Sequence, residues 1–228
     1  MSGVLHDHAL LWYVSRATGL VCLVLLTLTV VLGVLAATRV ASAGWPRFVT
    51  QGLHRNVSLF VLVLLAVHVT AVVVDDFVPI HISDVLVPFA SGYRPFWLGL
   101  GVVAVDLVVA LVLTSLVRQR LGHGAWRSVH WMAYACWPLA IVHGLGTGSD
   151  PRRDWATGLA VGCAAVVLLA VAWRIVEGWP RRAVGRLGAV LVTACAVAVV
   201  VLWARQGPLA PGWSKRAGTP PPPATEGR

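Results

Sequence analysis

LHRNVSLFVLVLLAVHVT, residues 53–70, is almost wholly apolar, yet it carries a histidine near each end, His54 and His68. The run around it is long enough to cross a bilayer as a helix, which takes about 20 residues. Ionisable side chains at membrane depth are costly and mark ion, proton or cofactor sites. Two of them, fourteen residues apart on one apolar segment, need an explanation.

The sequence on either side repeats the apolar pattern. Six runs of span length stand out: about Trp12–Ala37, Leu53–Val74, Phe96–Val117, Trp126–Leu145, Trp155–Ile175 and Leu187–Trp203. With 58% hydrophobic and 12% charged residues, no stretch remains to build a soluble core of domain size. The prediction is an all-α polytopic membrane bundle of six transmembrane helices, made by residues 1–205. Residues 206–228, QGPLAPGWSKRAGTPPPPATEGR, are expected to be a Pro-rich disordered tail. The first run is too long for the apolar region of a signal peptide and is read as a retained span. Cys22, Cys136, Cys163 and Cys195 all fall within spans and form no C-x-x-C pair, which predicts packing residues and no covalent haem attachment.

The net charge of +9 does not indicate nucleic acid, because of where the charges sit. Arg39, Arg47, Arg55, Arg118, Arg120, Arg127, Arg174, Arg181, Arg182 and Arg186 occupy alternate short connections. The other connections hold Arg94, Arg152 and Arg153 against Asp75, Asp76, Asp84, Asp150 and Asp154. Basic connections mark the cytoplasmic side, so both termini are expected outside a plasma membrane crossed many times.

Of the eight histidines, four lie in two spans only: His54 and His68 on the second, His130 and His143 on the fourth. Both spans follow a cytoplasmic connection and so run in the same direction. His54 and His130 then share an inner depth, and His68 and His143 share one ~20 Å farther out, at ~1.5 Å per residue. Side by side, the spans present two stacked histidine pairs. A bare metal ion needs three or four ligands. Two imidazoles per layer in apolar surroundings suit the iron of a haem, whose macrocycle brings its own four nitrogens. Fourteen residues return to within about 40° of one helix face, whereas thirteen miss by about 140°. Pro138, between His130 and His143, is expected to kink the fourth span and re-aim one of them.

These spacings resemble the ferric reductase-like transmembrane superfamily, which includes the NADPH oxidases, iron reductases and the haem-binding subunit of the bacterial methionine sulfoxide reductase system. SRATGLVCLVLL (15–26), LHR…VH (53–68) and WRSVHW…HG (126–144) carry the resemblance, over about residues 9–175. It implies two haem b groups, an inner one on His54 and His130 and an outer one on His68 and His143. The oxidases place a second histidine one turn beyond the outer ligand. Val72 stands there in this chain, which argues against superoxide production.

Arg16, in VSRATG at the outer entrance of the first span, has two readings: partner of a haem propionate, as the resemblance implies, or a contact with lipid phosphate. Arg55 and Arg127 flank the inner ligands, either as propionate partners or as positive-inside anchors. Phe60, Tyr134 and Trp137 fall between the two histidine levels, where aromatic packing is the default. Asp106 is mid-span on the third helix with no partner named by the sequence. Asp75, Asp76, His81 and Asp84 form an outer polar loop.

The expected function is transmembrane electron transfer as an oxidoreductase subunit, with no catalytic residue of its own. No G-x-G-x-x-G unit or soluble flavin or nicotinamide domain is present. A cytoplasmic flavoprotein or the quinone pool is the expected donor. An extracytoplasmic ferric complex, flavoprotein or sulfoxide reductase is the expected acceptor, and lipid is the remaining partner. The alternatives are a metal-ion transporter and a non-catalytic membrane anchor.

Overall fold

The computed structural model describes residues 2–40, 42, 45–75, 78, 80–148, 153–177 and 183–219, with side chains described from residue 10 onward. The expectations for Asp76, Asp150, Arg152, Arg181, Arg182 and the proline run fall outside those residues. In order, the helices are α1 (Ser2–Ala37), α2 (Arg47–Val74), α3 (Ile82–Leu86), α4 (Pro95–Leu116), α5 (Arg118–Leu121), α6 (His123–His130), α7 (Ala133–Thr147), α8 (Asp154–Val176), α9 (Ala183–Gln206) and α10 (Trp213–Arg216). The chain is all-α among the described residues. Five helices are long and apolar enough to cross a membrane: α1 from Leu10, α2, α4, α8 and α9.

These helices satisfy their polar groups internally, as hydrocarbon surroundings require. The hydroxyls of Thr18, Thr27, Thr29 and Thr114 donate to carbonyls one turn back. Prolines set two starts: Pro46 precedes α2, and Pro95 opens α4 at the position where a missing N–H costs nothing. Large apolar side chains such as Leu59, Val63, Leu113, Leu169 and Leu191 point outward, the surface that acyl chains cover.

The fourth apolar run is divided where a single span was expected. After α6, the backbone bonds tighten over one turn: Tyr134 N–H donates to Trp131 and Ala135 N–H to Met132. Regular helix resumes with the Cys136 N–H on Met132. The cause is Pro138, whose ring crowds the carbonyl of Tyr134 and offers it no N–H. The tightened turn therefore lies just before the proline and between the two histidines.

Two helix pairs form the frame. α1 lies along α2, and α4 along α7, and α1 joins the pairs through α7 and α8. By contrast, α2 makes no extended backbone contact with α4, α6 or α7. Side chains fill the middle of that separation. Leu62 and Leu65 of α2 meet Ala104, Val108 and Cys136, with Leu26 and Leu139 beside them. A second cluster joins Trp137 and Ile141 to Cys163 and Val167 of α8.

The segment expected to be a disordered tail is folded over residues 207–219. Pro208 and Ala217 are buried, and Trp213 packs on Trp97 and near Trp203. Arg94 anchors it: its Nε donates to Thr219 Oγ1 at 2.8 Å and its backbone N–H to the Gly218 carbonyl at 3.1 Å. A tryptophan and a few backbone acceptors are enough to hold so short a stretch onto an existing aromatic surface.

Candidate functional site

His54 and His68 of α2 lie against α1, and His143 of α7 lies against α4. These three are held in one way. His54 Nδ1 lies 3.0 Å from the Thr29 carbonyl, His68 Nδ1 2.7 Å from that of Ser15, and His143 Nδ1 2.9 Å from that of Trp97. A carbonyl only accepts, so each Nδ1 carries the hydrogen and each Nε2 keeps a lone pair. Metal-ligating histidines are oriented by this kind of bond on the second nitrogen.

The helices make room for it. A carbonyl inside a helix already receives the N–H four residues on, and the side chain at that position covers its second lone pair. Here that position is glycine each time: Gly19 after Ser15, Gly33 after Thr29 and Gly101 after Trp97. A Cβ on Gly19 would come to 3.0 Å from His68 Cε1, and one on Gly33 to 3.3 Å from His54 Cε1. One on Gly101 would run into the His143 ring. The imidazoles therefore lie directly on bare helix backbone.

His130 differs. Its Nδ1 is buried and has no hydrogen-bond partner among the described residues. Its ring stacks on Trp126, with centroids 4.9 Å apart and planes 26° from parallel. Trp126 Nε1 in turn donates to Ser115 Oγ at 3.2 Å.

The inner pairing follows. His54 and His130 face each other with ring centroids 6.2 Å apart and planes 70° from parallel. His68 and His143 are each held on a helix carbonyl at the other level. Two imidazoles bound to one metal from opposite sides, with nitrogen–metal bonds of ~2 Å, place their ring centres roughly 6 Å apart. The inner pair has that spacing, and the residues present fit a haem iron between them. Among the described residues no three His, Cys, Asp or Glu gather in one place.

The other candidates separate clearly. Arg16 adjoins Ser15, at the level of the outer pair, with its guanidinium 4.8 Å from the Trp12 ring centroid and 5.4 Å from that of Trp155. Arg55 and Arg127 are exposed. Trp137 is buried and donates to Thr27 Oγ1 at 2.9 Å, whereas Phe60 and Tyr134 are exposed on the outside of the bundle. Asp106 faces outward from α4. Asp84 caps α3 by accepting the His81 N–H at 3.0 Å, so this carboxylate serves the loop. Just outside α4, Tyr93 is pushed above its usual pKa by burial, with Arg94 opposing.

Reading the histidines alone misses their supports: Ser15, Gly19, Thr29, Gly33, Trp97, Gly101, Ser115 and Trp126. A signal for some of them exists. Gly19 and Gly33 are fourteen residues apart, like His54 and His68, as two antiparallel helices in register require.

Residues 10–150 match a family described as Domain of unknown function (DUF8596), an interval that contains all four histidines and their supports. No curated protein and no solved structure matches the chain.

Proposed function

The chain belongs to the family described as Domain of unknown function (DUF8596), and we propose that it is a two-haem membrane cytochrome b that carries electrons across the bilayer. The observation that carries this reading is the His54–His130 opposition at 6.2 Å, with His54 held at Nδ1 by a backbone carbonyl. At the outer level His68 and His143 are both held at Nδ1 by carbonyls. Here α6 and α7 together make a broken fourth span, which brings the count to six, with both termini outside a plasma membrane. The likeness of the four-histidine spacing to the ferric reductase-like superfamily supports the same reading.

A haem bound in each layer supplies one-electron chemistry through its iron. The protein's part is distinct at each level. The carbonyls of Thr29, Ser15 and Trp97 fix the tautomer and orientation of His54, His68 and His143 and raise the basicity of Nε2. Leu62, Leu65, Ala104 and Cys136 keep water out of the layer between the histidine levels. Arg16 stands where it can meet a propionate of the outer group. The arginine-rich inner connections, with Arg55 and Arg127 exposed, offer a surface to an acidic cytoplasmic flavoprotein, and quinol is the alternative donor. An extracytoplasmic protein or ferric complex takes the electron.

Two ligands per layer favour a macrocycle over a transported bare ion, which would need more. The deciding experiment is the absorption spectrum of protein purified from haem-replete cells, with the haem-to-protein ratio measured. About two low-spin haems per chain are expected. Protein with no Soret band would overturn the reading.

A further inference from the structure

We infer that the two centres are unequal, and that His130 is the one iron ligand that yields its place to a small neutral ligand of the carbon monoxide class. This rests on the two-haem reading above. Its basis is the odd support of one histidine among four.

The support fails at a definite place on α4. Trp97 and Gly101 hold His143. Fourteen residues further along α4 stand Leu111 and Ser115. Ser115 puts a side chain where the fourth glycine would be. The Ser115 side chain thus covers the backbone that Gly19, Gly33 and Gly101 leave bare for the other three imidazoles. Ser115 instead accepts the Trp126 N–H, and the indole stacks on the His130 ring. Stacking restrains the tilt of the ring but supplies no acceptor for its Nδ1, which stays unpartnered.

The surrounding backbone is also the least confined. His130 ends α6, which has no buried residue, and the tightened Trp131–Met132 turn follows it. His143 sits inside α7, between buried Ile141 and buried Gly146. Without a carbonyl at Nδ1, His130 is the least basic donor of the four. Exchange then breaks one iron–Nε2 bond and makes one bond to the lone pair of the incoming ligand. No electron and no proton changes hands. Trp126 is a positioning residue in this scheme, acting on the iron only through His130.

The test uses the full chain in detergent, reduced with dithionite and titrated with carbon monoxide, with haem counted separately. Wild type should bind carbon monoxide at about half its haem. His68→Ala/His143→Ala, which retains the inner site, should still bind it. His54→Ala/His130→Ala, which retains the outer site, should not. Trp126→Leu should raise the affinity roughly two- to tenfold, as loss of one ring stack implies, and Trp126→Phe should restore it. If the double variants fail to fold, the wild-type stoichiometry and the Trp126 series decide. Haem-replete protein that binds no carbon monoxide, binds it at every haem, or binds it in the outer-site variant overturns the inequality alone. Protein without haem overturns the reading beneath it.

Discussion

His68 rests its imidazole on the backbone of α1, with Nδ1 2.7 Å from the Ser15 carbonyl and Cε1 3.0 Å from where a Cβ of Gly19 would be. The first helix is thus a built surface for the histidines of the second. Ser15 and Gly19 serve one ligand, and Thr29 and Gly33 the other.

Glycine-to-alanine substitutions on that surface should rank by clearance. Gly101→Ala meets the His143 ring head-on, Gly19→Ala leaves 3.0 Å, and Gly33→Ala leaves 3.3 Å. Overpacking of this kind costs about 1–3 kcal/mol. Gly101→Ala and Gly19→Ala should lose the outer haem, while Gly33→Ala should lower inner haem content only in part. Haem-to-protein ratios with thermal unfolding in detergent measure this. Equal effects at all three sites would discard the clearance argument.

The histidines should behave as pairs. His68→Ala or His143→Ala should remove one spectral component, and His54→Ala or His130→Ala the other. Low-temperature α-band spectra separate the two. Loss of the same component from His54→Ala and His143→Ala would mean that the pairing is wrong.

Arg94 and the C-terminal segment hold the outer end together. Arg94 Nη1 and Trp213 Nε1 both donate to the Gly146 carbonyl, at 2.9 and 3.0 Å, three residues beyond His143. Arg94 is buried, and leaving its acceptors unpaired costs about 1–3 kcal/mol. Arg94→Met should lower the unfolding temperature and speed amide exchange in residues 207–219. Unchanged exchange there would show that the segment is held by its tryptophans alone.

The bond from Trp137 to Thr27 ties α7 to α1 at mid-bundle. Hydrogen bonds between membrane helices contribute about 0.6 kcal/mol on average. A double-mutant cycle of Trp137→Phe and Thr27→Val should return a coupling near that size. Zero coupling would make the contact one of packing only.

The inner connections should steer an acidic donor. Reduction of the haems by a cytoplasmic flavoprotein in inside-out vesicles should slow as salt rises over the range where the Debye length falls below ~10 Å. Reduction by quinol alone, without salt dependence, would point to the membrane as the source of electrons.

Long apolar runs were enough to read most of the fold. A chain that must satisfy every backbone group in hydrocarbon has little choice but helix, and α1, α2, α4, α8 and α9 follow from composition and length. The four histidines stood out as candidates in the same way, because an ionisable group is conspicuous among leucine and valine. What composition cannot carry is contact between distant segments. The carbonyls of Ser15, Thr29 and Trp97 are invisible in a sequence, since every residue has one. Only helix register decides which of them a glycine leaves open to a ring. The turn before Pro138 changes the phase between His130 and His143, and the folding of residues 207–219 onto Arg94 and Trp97 depends on surfaces made elsewhere in the chain. Local chemistry determined which residues are candidates, whereas packing between helices decided which imidazoles meet, and which one of the four is left without a carbonyl.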